Sequence, residues 1–183
     1  MKTALLPVAL VWLIAASAHA QHDHKNDHGH QHAHVHGVAK LEVAVDGGNL
    51  SLRLESPLEG LLGFEHAPRN DQERAAEAEM RRKLADAGKL FAPTTAAQCS
   101  LKSARIDAPT LDAKPAAAAK QTNAHADLDA DFLFACAQPA RLTGIDVRLF
   151  QAFPNLRRVE AEVVSEKGQK AVRLSSKMRF LSW

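Results

Sequence analysis

The chain has 183 residues, with 23 lysines and arginines against 21 aspartates and glutamates, and a formal net charge of +2 at pH 7. This balance, without a cluster of basic residues, excludes a surface that binds nucleic acid through its phosphates. Aromatic residues make up 5% of the chain and tyrosine is absent, which argues against stacking platforms for bases or sugars.

The first 20 residues have the three-part pattern of a secretory signal peptide. Lys2 gives a positive start, an apolar run extends from Ala4 to Ala16, and the small residues Ala18 and Ala20 precede the expected cleavage site. A membrane anchor is the alternative, but this run of about 13 residues is shorter than the ~20 that a span requires. We therefore predict a mature chain that begins at Gln21, is located in the periplasm and is not embedded in the membrane.

The mature chain opens with a histidine segment, residues 21–37, which reads QHDHKNDHGHQHAHVHG. Its seven histidines are His22, His24, His28, His30, His32, His34 and His36. Neutral imidazole is a good ligand for zinc, copper and nickel, and so polar a segment has little apolar surface to offset the entropy of ordering. We predict a disordered, flexible metal-binding tail for Zn²⁺, with Cu²⁺ or Ni²⁺ as alternative ions. A tail that serves solubility alone is less well supported, since lysine or glutamate would serve equally.

A β-hairpin is predicted after the histidine segment. Alternating apolar residues in VAKLEVAV and NLSLRLES flank Asp46-Gly47-Gly48, which supplies the turn, and Pro57 ends the second strand. The apolar stretch LEGLLGFEHAP then predicts a single helical turn.

A long amphipathic helix is predicted next. Asn70 can cap it, with Glu73 in the capping-box position and Gly88 at its end. Its apolar stripe has helical spacing. The stripe consists of Ala76, Met80, Leu84, Ala87 and Phe91.

The rest of the chain predicts more strands. CSLKSARI is a strand, residues 107–124 form a flexible loop rich in alanine, proline and lysine, and HADLDADFLFACA and IDVRLFQAFP are further strands. VEAEVVSEKGQKAVRLSS is a second hairpin, which turns at Glu166-Lys167-Gly168. The predicted fold is α+β: residues 38–183 form one domain in which an antiparallel sheet built from hairpins packs against the long helix.

Two cysteines, Cys99 and Cys136, are present. In an oxidising periplasm such a pair usually forms a disulfide, and closing a loop of this length is worth roughly 3 to 4 kcal/mol. The alternative is a pair of thiolate metal ligands, which the absence of CxxC spacing disfavours.

Outside the histidine segment, Glu65-His66 and His125 are candidates for fixed metal ligands. A lone histidine is more often a hydrogen-bonded structural residue, and spacing alone does not decide between these roles. The sequence has no Ser-His-Asp order, P-loop or HExxH motif. We therefore expect a protein that is not an enzyme.

Several stretches resemble the ZrgA-like family of zinc-regulated periplasmic proteins. They are HGVAKLEVAVDGGNLSLRLESPLEGLLGFEHAP, CAQP and DVRLFQAFPNLRRVEAEVVSEKGQKA, and the resemblance extends from His36 almost to Trp183. It implies a periplasmic zinc-binding protein that is expressed under zinc limitation and supports a high-affinity zinc ABC importer. By position, the histidine segment corresponds to the family's N-terminal histidine cluster, and Glu65, His66 and His125 fall in matching motifs.

One departure from the family concerns the middle loop, where such proteins often carry a second histidine-rich stretch. Here residues 107–124 contain alanine, lysine and proline instead, which lowers the expected zinc capacity. Two further functions remain open at this point: a zinc-responsive envelope interaction protein, and a protein that sequesters copper or nickel.

Overall fold

The computed structural model describes residues 36–112 and 126–183. The predicted signal peptide, the histidines from His22 to His34, residues 113–124 of the predicted loop, and His125 lie outside these residues.

Nine strands lie within the described residues and form two sheets. They are β1 (Val38–Asp46), β2 (Asn49–Pro57), β3 (Phe91–Pro93), β4 (Cys99–Asp107), β5 (Asp127–Cys136), β6 (Gly144–Val147), β7 (Arg158–Ser165), β8 (Gly168–Leu174) and β9 (Phe180–Ser182). The larger sheet has six strands in the order β4-β5-β2-β1-β7-β8, and the smaller sheet has the order β3-β6-β9. All neighbouring strands are antiparallel except β1 and β7, which are parallel.

Helices connect these strands. They are α1 (Leu58–Leu62), α2 (Asp71–Ala85), α3 (Ala87–Leu90), α4 (Pro109–Asp112) and α5 (Leu149–Ala152), with short 3-10 turns at Thr95–Ala97 and Pro139–Arg141. The combination of sheets and separate helices fits the predicted α+β class.

The elements that depend on local sequence signals are confirmed. β1 and β2 form the first hairpin, with Gly47 at a φ of 52°, and β7 and β8 form the second. The side chain of Asn70 accepts a hydrogen bond of 2.9 Å from the Glu73 backbone N–H at the start of α2. A turn glycine permits a positive φ, and a helix cap bonds a backbone N–H two or three residues further on. Both involve groups close together in the sequence, which is why the sequence alone reveals them.

Helix α2 is shorter and more exposed than its apolar spacing predicted. It ends at Ala85 rather than at Gly88, and only Met80 and Leu84 of its residues are buried. The chain then re-forms as α3, and Phe91 begins a strand. The apolar positions beyond Leu84 are buried because separate elements carry them into the core, not because one helix continues.

Three other predictions were wrong in part. The larger sheet is mixed rather than wholly antiparallel, since β1 pairs with β7 in parallel. The stretch IDVRLFQAFP is a strand only to Val147, and its LFQA portion is α5. The predicted loop begins with ordered structure, because Asp107 belongs to β4 and α4 follows it.

The core lies on one face of the larger sheet. Alternate residues of β1, β2, β5 and β7 are buried, and Leu41 is paired with Leu54 on one side and with Ala161 on the other. These side chains form one cluster with residues of α2, α3, α5 and the smaller sheet. The rings of Phe91 in β3 and Phe132 in β5, 5.2 Å apart, join the two sheets. Because β1 is parallel to β7 and antiparallel to β2, the starts of β1 and β7 and the start of α1, which follows β2, lie at one end of the larger sheet.

Candidate functional site

His36 is the one predicted tail ligand that the described residues include, and the structure places it beside a carboxylate. Its Nδ1 atom lies 3.5 Å from Oε2 of Glu59, in the first turn of α1. The His36 side chain is 70% exposed, whereas that of Glu59 is 25% exposed. An exposed imidazole therefore sits next to a largely enclosed carboxylate.

Gly37 fixes the backbone at His36. Its carbonyl oxygen accepts hydrogen bonds from the backbone N–H groups of Arg157, at 2.8 Å, and Arg158, at 3.0 Å. Its φ is +74°, and a Cβ atom at this position would lie 2.8 Å from the carbonyl oxygen of Asn155. Only glycine combines this conformation with so close an approach, so the chain is tied to the start of β7 immediately after His36.

Helix α1 packs directly against this anchored backbone. The backbones of Gly60 and Gly37 pass close to each other, since a Cβ atom at Gly60 would lie 3.9 Å from the Cα atom of Gly37. Gly63 ends the helix with a φ of +85°, and its N–H donates to the Glu59 carbonyl at 2.7 Å. Because Glu59 precedes Gly60 and His36 precedes Gly37, this close approach brings the imidazole and the carboxylate together.

The start of α1 is also tied to the chain that enters β5. The Leu58 backbone N–H donates to the carbonyl of Ala126 at 2.8 Å. Ala126 is buried and directly follows His125 in the sequence. His125 itself lies outside the described residues, and its role as a ligand stays a prediction.

One carboxylate oxygen of Glu59 makes no hydrogen bond with the described residues. Its Oε2 is shielded from solvent and has no hydrogen-bond partner among the described residues. A shielded carboxylate oxygen without a partner is costly, because it has given up its water without a replacement. No pattern in the sequence points to this residue: Glu59 is far from His36 along the chain, and a single glutamate in an apolar turn matches no metal motif.

His66 is one of the two predicted fixed ligands in the described part of the chain, and its ring contacts nearby protein groups. Its Nδ1 lies 3.0 Å from the Ala67 carbonyl, and its ring stacks on Phe64 with centroids 5.0 Å apart. Oε2 of Glu73 is 3.8 Å from this Nδ1, but it already accepts a 2.6 Å hydrogen bond from the Arg69 N–H. The imidazole therefore helps to hold the chain that leads into α2.

Glu65, predicted as a ligand together with His66, is exposed. Within residues 36–112 and 126–183, no three histidine, cysteine, aspartate or glutamate side chains are grouped so that they could hold a metal ion. The described residues thus offer pairs of ligands, and the pair with a free carboxylate oxygen is His36 and Glu59.

Cys99 and Cys136 form the predicted disulfide. They face each other across the antiparallel pair β4 and β5. Since both sulfur atoms are bonded, the alternative role as thiolate metal ligands is excluded in this state of the protein.

The outer face of the larger sheet carries a separate charged cluster around Arg53. Its guanidinium lies 3.6 Å from Asp129 and 3.9 Å from Asp131, and its Nε donates to Glu55 at 3.2 Å. Partial burial raises the pKa of Asp129, and this effect outweighs the lowering by Arg53. A guanidinium within these carboxylates repels other cations, so this face is a poorer metal site than the His36–Glu59 pair.

Comparison with known proteins identifies the family. The family model described as "ZrgA family zinc uptake protein" matches residues 33–183. The chain belongs to the ZrgA family. This ZrgA match covers the whole described structure but begins at Ala33, so five of the seven histidines in the histidine segment precede it.

Membership in the ZrgA family connects the chain with zinc uptake. A search of the curated proteins found no match. Among the helices of the described residues, none has both the length and the apolar composition of a membrane span.

Proposed function

We propose that this protein is a periplasmic zinc-binding protein that captures or buffers zinc and supports a high-affinity zinc ABC importer. The observation that carries the proposal is the match to a family of zinc uptake proteins over residues 33–183. The predicted signal peptide supports export to the periplasm, where such an importer would collect its substrate. Zinc is cargo in this role, and the proposal assigns the protein no catalytic activity, no nucleic-acid partner and no membrane-embedded segment.

The histidine segment supports the capture step. Seven imidazoles within residues 21–37 supply the nitrogen ligands that zinc prefers. A flexible segment, as the sequence predicts, would exchange metal quickly, since no preorganised second shell would resist release. Rapid exchange suits a protein that passes zinc on rather than storing it.

Metal content tests this proposal. The mature chain is isolated from native periplasm after growth under zinc limitation, and its metals are measured by mass spectrometry. In the test variant the six histidines from His22 to His34 become asparagine, and in the matched control Lys25, Asn26 and Gln31 become serine. We expect zinc with the intact chain and the control, and much less zinc with the test variant.

Two results would contradict the proposal. Full zinc content without the six histidines would place the metal elsewhere, and copper or nickel in place of zinc would favour sequestration of those ions. Growth in the presence of a zinc chelator tests the link to import: loss of the protein should slow growth, and the intact chain should restore it. No growth defect would separate zinc binding from uptake.

A further inference from the structure

We propose that a groove across the outer face of the larger sheet docks an amphipathic helix of a partner protein. This helix carries an apolar stripe, a basic side chain at one end and an acidic side chain at the other. The groove has a volume of about 620 Å³ and is lined by residues of five neighbouring strands, β4, β5, β2, β1 and β7. The inference goes beyond the proposed function and is independent of it, since it involves no metal ligand.

The floor of the groove consists of short or apolar side chains. Strand pairing places them in one row across the sheet: Ser103, Leu133, Ser51, Ala44 and Val164. Val164 is 51% exposed although it is a large apolar residue. The apolar stripe of a docked helix would remove this row from water, which is the main driving force for such binding.

Two carboxylates without a cation lie at one end of the groove. Glu42 and Glu162 are paired directly across β1 and β7, and both are exposed. Neither side chain forms an ion pair or a hydrogen bond within the described residues. Like charges directly opposite each other destabilise a sheet, and a lysine or arginine that a partner places between them would remove this repulsion.

A guanidinium without a carboxylate lies at the other end of the groove. Arg105 in β4 is exposed and forms no ion pair among residues 36–112 and 126–183. Arg53, nearer the middle, is instead held by Asp129 and Asp131. The groove therefore presents negative charge at β1 and β7 and positive charge at β4, and a complementary partner carries the opposite order of charges.

The backbone of the sheet determines which kind of segment fits. β5, β2, β1 and β7 each have a neighbouring strand on both sides, so an extended segment lying on this face would find no backbone groups to pair with. An α-helix satisfies its own backbone groups and contacts the face through side chains alone. Five strands span roughly 19 Å at a spacing of about 4.8 Å, which an α-helix covers with about 13 residues.

A second copy of this chain fits the groove less well than a helix does. Two such concave faces brought together would enclose empty space, whereas protein interfaces are packed without large voids. A helix placed along the groove fills it, and its charged ends reach the carboxylates and the guanidinium at the same time.

Binding of a synthetic peptide to the complete mature chain tests the inference. The probe is a fluorescently labelled helical peptide of about 14 residues, with leucines at helical spacing, lysines in its first turn and glutamates in its last. Fluorescence anisotropy measures its affinity. In one control peptide glutamine replaces the charged residues, and in another serine replaces the leucines. We expect saturable binding of the probe and at least about fivefold weaker binding of both controls.

Protein variants locate the binding. Glu162→Lys reverses one charge in the groove, and Glu166→Lys is the matched control, since Glu166 is exposed in the turn of the same hairpin but does not line the groove. We expect Glu162→Lys to weaken the probe at least about fivefold, because repulsion replaces attraction, and Glu166→Lys to leave it unchanged. Val164→Thr, which keeps the β-branched shape but lowers the apolar area, should weaken it about two- to threefold. Thermal midpoints establish that the variants fold.

Methyl NMR spectra provide a readout that does not rely on the variants. The probe should shift the methyl signals of Val164 and Leu133 and leave those of Val172, which packs against the core, unchanged. No binding to the wild-type chain, equal losses in the two lysine variants, or shifts confined to other methyl groups would overturn the inference. A wild-type dimer that Val164→Thr dissociates would also overturn it, because the occupant would then be a second copy. None of these measurements requires zinc, so their failure is distinct from failure of the proposed function.

Discussion

Gly37→Ala should destabilise the fold more than an alanine at another glycine of positive φ. Gly37 has a φ of +74°, and an added Cβ would approach the Asn155 carbonyl oxygen to 2.8 Å. The left-handed conformation costs a residue with a Cβ about 1 to 2 kcal/mol, and relief of the backbone clash adds about 1 to 2 kcal/mol more. We expect a total loss of about 2 to 4 kcal/mol in the free energy of unfolding.

Gly47→Ala is the matched control. Gly47 also has a positive φ, of +52°, but a Cβ there meets nothing within 4 Å. This variant should lose only the conformational cost of about 1 to 2 kcal/mol. The difference between the two variants isolates the cost of the close approach between Gly37 and the Asn155 carbonyl.

Urea denaturation in excess chelator measures the stability of both proteins. Equal stability losses for the two variants would refute the view that the close approach of Gly37 to the Asn155 carbonyl requires glycine at this position.

Three other predictions concern pH, the disulfide and the charged outer face. Lowering the pH from 7.5 to 5.5 should weaken zinc binding by about tenfold for each imidazole ligand, because an ordinary imidazole is protonated near pH 6.5; a flat titration would point to carboxylate ligands. Replacing Cys99 and Cys136 with alanine should lower the free energy of unfolding by roughly 3 to 4 kcal/mol, measured by denaturation, and an unchanged midpoint would contradict this. Because the folded-state pKa of Asp129 is raised by burial, its ionised form destabilises the fold at neutral pH, and this penalty disappears as pH falls through that pKa. Asp129→Asn should therefore increase the free energy of unfolding at pH 7, by less than about 1 kcal/mol since the carboxylate is only partly buried, and this gain should disappear in acid. A thermal midpoint below that of the wild-type protein at pH 7 would contradict the sign.

Much of the fold was predictable because its signals are local. The turn at Gly47 and the cap at Asn70 each involve groups only a few residues apart, and both are present in the structure. The parallel pairing of β1 with β7 was not predictable, because its partners, such as Val38 and Arg158, are far apart in the sequence. The helix formed by LFQA, within a stretch that was predicted to be a strand, was also not predictable from local sequence. Tertiary contacts decide the conformation of such short apolar runs.

The candidate site also has one part that local sequence signals predict and another that depends on tertiary packing. The histidine spacing marks residues 21–37 as a metal-binding segment without any structure. Glu59 could not be predicted, because its position beside His36 depends on the packing of α1 against Gly37. For His66 the structure adds contacts that the sequence does not show, with the Ala67 carbonyl and near Glu73. Its role as a ligand stays a prediction.

Calorimetric titration of the mature chain at neutral pH measures whether the protein binds zinc. We expect saturable zinc binding, most of which is lost when the histidines of the segment are replaced. Titrations with zinc, copper and nickel that show no saturable binding would contradict it.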